Sequence, residues 1–152
     1  KFINEIKFLK NEQIFLGDLE KNNPGYFLSD KELDTSLEIF FSSINYLKSK
    51  FPNIEIEIIY VPSPINIYNW KNNKISLLNN NKYYDFNDEF IARKYNYVIK
   101  KFKDFSKEKK ITFINSTNNL KKYANDLFLH GKIDPNHFNN QGYKILADTI
   151  IK

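Results

Sequence analysis

The chain has no cysteine and no methionine, only two histidines, four glycines and one tryptophan in 152 residues. Without cysteine there are no disulfides and no thiolate metal sites, although compartment stays unfixed. No run approaches the ~20 consecutive apolar residues that span a bilayer as a helix. The first residues also lack the basic, then apolar, pattern of a signal peptide. The sequence opens at Lys1 with no initiator residue, so the expectation is that further sequence lies upstream.

What is present is a one-domain length, enough to bury about two-thirds of the unfolded surface. The hydrophobic fraction is 41%, and 14 Phe and 10 Tyr supply much of the packing mass. Lysine and arginine exceed the acids by 23 to 18, giving a net charge of +5. The excess is scattered, with short clusters such as Lys100-Lys101 and Lys107 to Lys110, and no basic stripe forms. Heavy joint use of Asn, Lys, Ile, Phe and Tyr is typical of AT-rich coding. The charge is therefore a matter of composition, and no nucleic-acid partner is expected.

Hydrophobic periodicity gives the element order. "EQIFLG" at residues 12–17 reads as a strand closed by Gly17, followed by a loop with the turn signal Pro24-Gly25. Ser29 and Glu32 have the spacing of a capping box. The helix they open, near 30–50, carries Leu33, Leu37, Phe40, Phe41, Ile44 and Leu47 on one stripe. It should stop at Phe51, because the residue before a proline is pushed out of the helical region. A strand over 55–61 turns continuously apolar at Ile58 to Val61, as a covered strand does.

Residues 62–87 then read as a long Asn-rich connection, unusual in a compact domain unless it has a function. A helix over 88–108 presents Ala92, Tyr95, Val98, Ile99, Phe102 and Phe105 inward. A strand at 111–115 leads to a short helix holding Leu120, Tyr123 and Ala124, capped by Ser116 or Thr117. Asn139 or Asn140 caps a last helix, 140–151, with Tyr143, Leu146, Ala147 and Ile150 facing in. Alternating strands and helices without hairpin signals predict an α/β fold, a parallel sheet with helices on both faces. Ligands then bind beyond the carboxyl ends of the strands, where the loops at Gly17, Pro62 and Ser116 open.

The strongest chemical signal is "DPNHFNNQGYKILADTI", residues 134–150. A catalytic histidine needs one ring nitrogen held by an acceptor and the other left for the reaction. Asp134 and His137 stand three apart in a turn begun by Pro135, so the carboxylate can reach the imidazole without help from distant sequence. Gly142 lets the following helix pack closely. His130 has no second ligand at helical spacing, so neither a metal nor another cofactor is expected. Tyr68 and Trp70 either stack on a substrate ring or pin the long connection to the body. Ser63 and Ser116, at strand ends, read first as turn or cap formers.

Residues 134–147, "DPNHFNNQGYKILA", resemble the last signature of the SGNH/GDSL hydrolases, in which an Asp-x-x-His turn precedes a terminal helix. "FINSTNNLKKYANDLFLHGKID" and "IEIIYVPSP" are similar to segments of the members that esterify or de-esterify glycans. The resemblance covers about residues 12–152, and its specific part is the Asp-x-x-His turn. It implies His137 as general base and Asp134 as its orienting carboxylate. It also implies a flavodoxin-like three-layer α/β/α architecture, incomplete at its N-terminal side, and a small acyl ester or O-acylated glycan as partner. The family's Gly-Asp-Ser nucleophile loop does not occur; the nearest string, Gly17-Asp18-Leu19, has leucine in place of serine. That string is closer to the family's later Gly-x-Asn-Asp block without its Asn. Asp18 is thus a loop carboxylate first and a substrate contact second, and the nucleophilic serine is expected upstream of Lys1. A non-catalytic relative that binds a glycan or a protein is the competing expectation.

Overall fold

The computed structural model describes residues 4–7, 13–16, 24–70, 73–79, 82–131 and 137–151. The chain runs β1 (Asn4–Lys7), β2 (Gln13–Leu16), α1 (Pro24–Phe27), α2 (Asp30–Lys50), β3 (Glu57–Tyr60) and α3 (Pro64–Ile67). It continues through β4 (Lys74–Asn79), β5 (Lys82–Asn87), α4 (Asp88–Lys109), β6 (Thr112–Asn115), α5 (Thr117–Ala124) and α6 (Asn140–Ile150). The class is mixed α/β, as the alternation of patterns implies.

The sheet is smaller than expected. β3 and β6 pair in parallel, from Glu57 against Thr112 to Tyr60 against Asn115. β2 does not join them; it is antiparallel to β1, from Asn4 against Leu16 to Lys7 against Gln13. The 62–87 connection is not irregular either: it contains α3 and the antiparallel hairpin β4–β5. Asn79 pairs with Lys82 at its closed end, and the sequence between them is Asn80-Asn81, residues that suit a tight hairpin link. The β4 alternation buries Ile75 and Leu77 and turns Lys74 outward. Hairpin signals were therefore present, hidden in an Asn-rich background.

The capping box at Ser29 forms in full: Ser29 Oγ accepts the Glu32 amide, and the Glu32 carboxylate accepts the Ser29 amide. α2 ends at Phe51, ahead of Pro52. Its Leu33 and Leu37 are buried, but Phe40 and Leu47 stay exposed beside Ile39 and Tyr46. On α4, Asn87 Oδ1 caps the Phe90 amide at 2.8 Å, and Asp88 and Glu89 complement the helix dipole. Its buried positions are Ile91, Lys94, Ile99, Phe105 and Ser106, so Ala92 faces out rather than in.

Two apolar clusters form. Ile58, Phe105 and Ile111 pack under the parallel pair, with Phe41 stacked on Phe105 at 4.2 Å between ring centroids. The larger cluster joins α3, the β4–β5 hairpin, α5 and α6 around Ile67, Trp70, Ile75, Leu120 and Leu129. α6 meets it through Gly142 and Ile145 rather than Tyr143 and Ala147, a rotation of about 100° from the expected face. Gly142 dictates that rotation, since an added Cβ would lie 2.3 Å from the Leu129 carbonyl oxygen.

Candidate functional site

The carboxyl ends of β3 and β6 lie side by side, as a parallel pair requires, so the Pro62 and Ser116 loops open together. Gly17 and Asp18 lie outside the described residues. Ser116 fastens this edge: its amide and its hydroxyl both donate to the Tyr60 carbonyl, at 3.2 and 2.8 Å. Its hydroxyl is spent on the backbone and fully buried, and does not cap α5. Asn115 does that instead, its Oδ1 accepting the Thr117 amide at 3.0 Å. Ser63 is different. Its Oγ is buried without a hydrogen-bond partner, facing a cavity that Tyr26, Asn66, Lys94 and Tyr95 also line.

The phenol of Tyr26 in that cavity is pushed up to about 12 by burial, a rise partly offset by its 2.8 Å bond to Asn66 Oδ1. The neighbouring Ser63 hydroxyl offsets a smaller part of the same rise. Lys94 is 5% exposed, yet its charge is matched: Nζ donates to the Leu28 carbonyl at 2.7 Å and to Asp30 at 2.8 Å. Those bonds, with Arg93 beside them, hold the Asp30 carboxyl below the usual range.

The histidine turn is built as a clasped loop. Its ends meet through an antiparallel bridge between His130 and Phe138. The Gly131 amide donates to the His137 carbonyl, and the Asn139 amide to the Leu129 carbonyl, both at 2.9 Å. Asn139, rather than Asn140, caps α6, its Oδ1 accepting the amides of Gln141 and Gly142. Its Nδ2 donates to the carbonyls of Phe128 at 2.6 Å and His130 at 3.1 Å. One amide side chain thereby ties the helix start to the incoming segment, spending both its donors and its acceptor.

His137 emerges from this clasp exposed to solvent, directly ahead of α6. Asp134 lies outside the described residues. His130, by contrast, is 2% exposed, and its Nδ1 lies 2.7 Å from the Tyr68 hydroxyl. That oxygen already accepts the Leu129 amide at 2.8 Å, so its own hydrogen is best assigned to Nδ1, with the His130 proton on Nε2. Burial lowers the His130 pKa to about 4, and the ring is neutral near pH 7.

Tyr68 and Trp70 are each 3% exposed, so neither stands as an open stacking face over a cleft. Trp70 Nε1 donates to the Ile65 carbonyl, and the two rings meet edge to face at 6.4 Å. They pin the segment after β3 to the core and, through Tyr68, to the histidine turn. Sequence reasoning missed this Tyr68–His130 link, as it missed Lys94–Asp30, because 62 and 64 residues separate the partners. Among the described residues no group of His, Asp and Glu has the makings of a metal site. No described helix is long and apolar enough to cross a membrane.

Comparisons of the chain with family models, with curated proteins and with solved structures find no match.

Proposed function

We propose that the chain is the C-terminal part of an SGNH-type serine esterase or acyltransferase, acting on O-acyl groups, chiefly O-acetyl, of carbohydrate. The observation that carries this reading is the clasp at Gly131 and Asn139, beside which His137 stands exposed to solvent. A general base must be held still and remain reachable. In this reading Asp134 orients the His137 ring, and the serine hydroxyl comes from sequence upstream of Lys1. His137 takes the serine proton as the oxygen attacks the acyl carbonyl. It then returns that proton to the departing sugar hydroxyl, leaving an acyl-enzyme. Water or a second sugar hydroxyl, deprotonated by the same ring, releases the acyl group and frees the serine.

The three-layer α/β/α architecture is part of the same proposal, with further strands extending the β3–β6 pair. Ile59 on β3 and Val61 just beyond its end are 38% and 47% exposed, which suits a larger sheet. The second reading is a non-catalytic relative that binds a glycan or protein. It is favoured by the state of the strand-end serines, since Ser116 is spent on the backbone and Ser63 has no base beside it among the described residues.

Hydrolysis of an acetylated sugar by the longer encoded chain, with and without His137→Ala, tests the proposal. Loss of a general base lowers turnover by about 10²- to 10⁴-fold. An unchanged rate removes His137 from the mechanism.

A further inference from the structure

α2 turns only part of its circumference to the core. Leu33 and Leu37 are buried, while Ile39 and Tyr46 project from the outer side at 64% and 60% exposed. Two turns apart, they flank a shallow groove floored by Ser42 and Ser43. Thr35 and Ser36 stand one turn before Ile39, so large and small side chains alternate along this face at spacings of three and four. That is the relief by which the ridge of one helix enters the groove of another. Phe40 and Leu47, also exposed, widen its apolar flank.

The hydroxyls on this face are already spent. Thr35, Ser36 and Ser43 donate to the carbonyls of Lys31, Glu32 and Ile39, at 3.1, 2.9 and 2.9 Å. Covering the face therefore strands none of these three donors. Its two ends carry opposite charge, Glu32 in the first turn of α2 and Lys50 in the last. Glu32 Oε2 accepts from Ser29, and its Oε1 makes no hydrogen bond among the described residues. Lys50 makes no ion pair among the described residues, and its Nζ rests 5.6 Å from the centroid of the Tyr46 ring.

We propose that this face binds a second copy of the chain, the two α2 helices running antiparallel about a twofold axis near residue 41. Each Ile39 then enters the Ser42–Ser43 groove of the other copy, and each Tyr46 covers the other's Thr35 and Ser36. Lys50 of each copy meets the Glu32 end of the other. A parallel pair would instead set Ile39 against Ile39 and Lys50 against Lys50. A twofold contact uses one patch on both copies, so a face complementary to its own inverse fits a copy of itself. A lipid surface would match the apolar side chains but neither the small steps between them nor the Glu32 end. The proposal does not rest on the esterase reading.

Sedimentation equilibrium tests this on the 152-residue chain and on the longer encoded chain. Both are expected to dimerise with a dissociation constant on the order of 10 μM or below, the shorter reaching twice its 18.2 kDa. Ile39→Glu puts a charge into the groove and should weaken the dimer about a hundredfold. Ile39 is exposed in the single copy, so the circular dichroism of that variant should match wild type. Lys50→Glu opposes like charges at both ends and should weaken the dimer about tenfold. The chain has no cysteine, so introduced ones report the register. The two copies of Ser42→Cys lie about 3 Å apart along the helix axis and should cross-link under mild oxidation. Those of Thr35→Cys lie about 18 Å apart and should not. A monomer of either chain at about 100 μM, well above that constant, would overturn the proposal. So would an undiminished dimer in Ile39→Glu, or Thr35→Cys linking as readily as Ser42→Cys. A monomeric longer chain that shields Ser42→Cys from maleimide would give the face to upstream sequence instead.

Discussion

The Tyr68 hydroxyl bridges two buried groups, accepting the Leu129 amide at 2.8 Å and meeting His130 Nδ1 at 2.7 Å. Through this one oxygen the end of α3 grips the segment that leads into the histidine turn. Removing it strands an amide and a ring nitrogen, and each buried group left without a partner costs about 1–3 kcal/mol. Tyr68→Phe should therefore destabilise the chain by about 2 kcal/mol or more, read as a fall in urea midpoint at constant slope. A change below about 0.5 kcal/mol would place the bridge outside the stabilising contacts.

The same pair sets a pH dependence. Burial lowers the folded His130 pKa to about 4, against an ordinary value of about 6.5. Between these values the unfolded chain binds the extra proton, so stability is full above about pH 6.5 and is lost as pH falls toward 4. The loss approaches about 3 kcal/mol by linkage. Asp30, Glu32, Asp34 and Asp85, all with lowered pKa, add their own losses only at more acid pH. Urea midpoints from pH 7 to 4 should slope downward, and His130→Gln should flatten the slope over that range. A slope that survives the substitution would refute the assignment.

Gly142 offers a test of opposite sign from the usual one. Glycine to alanine inside a helix normally stabilises by about 0.5–1 kcal/mol. Here the new Cβ would stand 2.3 Å from the Leu129 carbonyl and 2.8 Å from the Phe138 ring, and the carbonyl is backbone that cannot swing aside. Gly142→Ala should therefore destabilise by about 2 kcal/mol. It should also shift the His130–Phe138 bridge in amide NMR spectra. Stabilisation would mean that α6 sits farther from Leu129.

Asn139 separates capping from clasping. Asn139→Asp keeps the oxygen that accepts Gln141 and Gly142 but loses the donors to Phe128 and His130. Asn139→Ala loses both, at about 1 kcal/mol for the cap alone. Alanine should therefore be the more damaging, yet aspartate should still fall clearly below wild type. Equality of aspartate and wild type in thermal melts would show that the clasp contributes nothing.

How far the sequence reveals this arrangement depends on the range of each interaction. The Ser29–Glu32 box, the stop at Phe51, the start of α4 and the close packing of Gly142 follow from residues a few positions apart. The parallel sense of the β3–β6 pair was legible from the alternation of strands and helices. The β4–β5 hairpin escaped because Ile75 and Leu77 alternate within a run of asparagines that reads as loop. The antiparallel place of β2 depends on β1, which the apolar pattern does not single out. The burial of Tyr68 and Trp70 was one of two open readings, and packing around α3 decided it. His137 was singled out by local spacing alone, whereas the supports of its turn at Tyr68 and His130 are long-range and leave no mark in a single sequence.

The central claim is that this chain supplies a base to a serine it does not itself contain. Fluorophosphonate labelling with peptide mapping reads that serine directly, since only an activated hydroxyl reacts. The account predicts no label on the 152-residue chain. In the longer encoded chain it predicts one labelled serine upstream of Lys1, with labelling lost on His137→Ala. Label on Ser63 or Ser116, or a longer chain that takes no label at all, would contradict it.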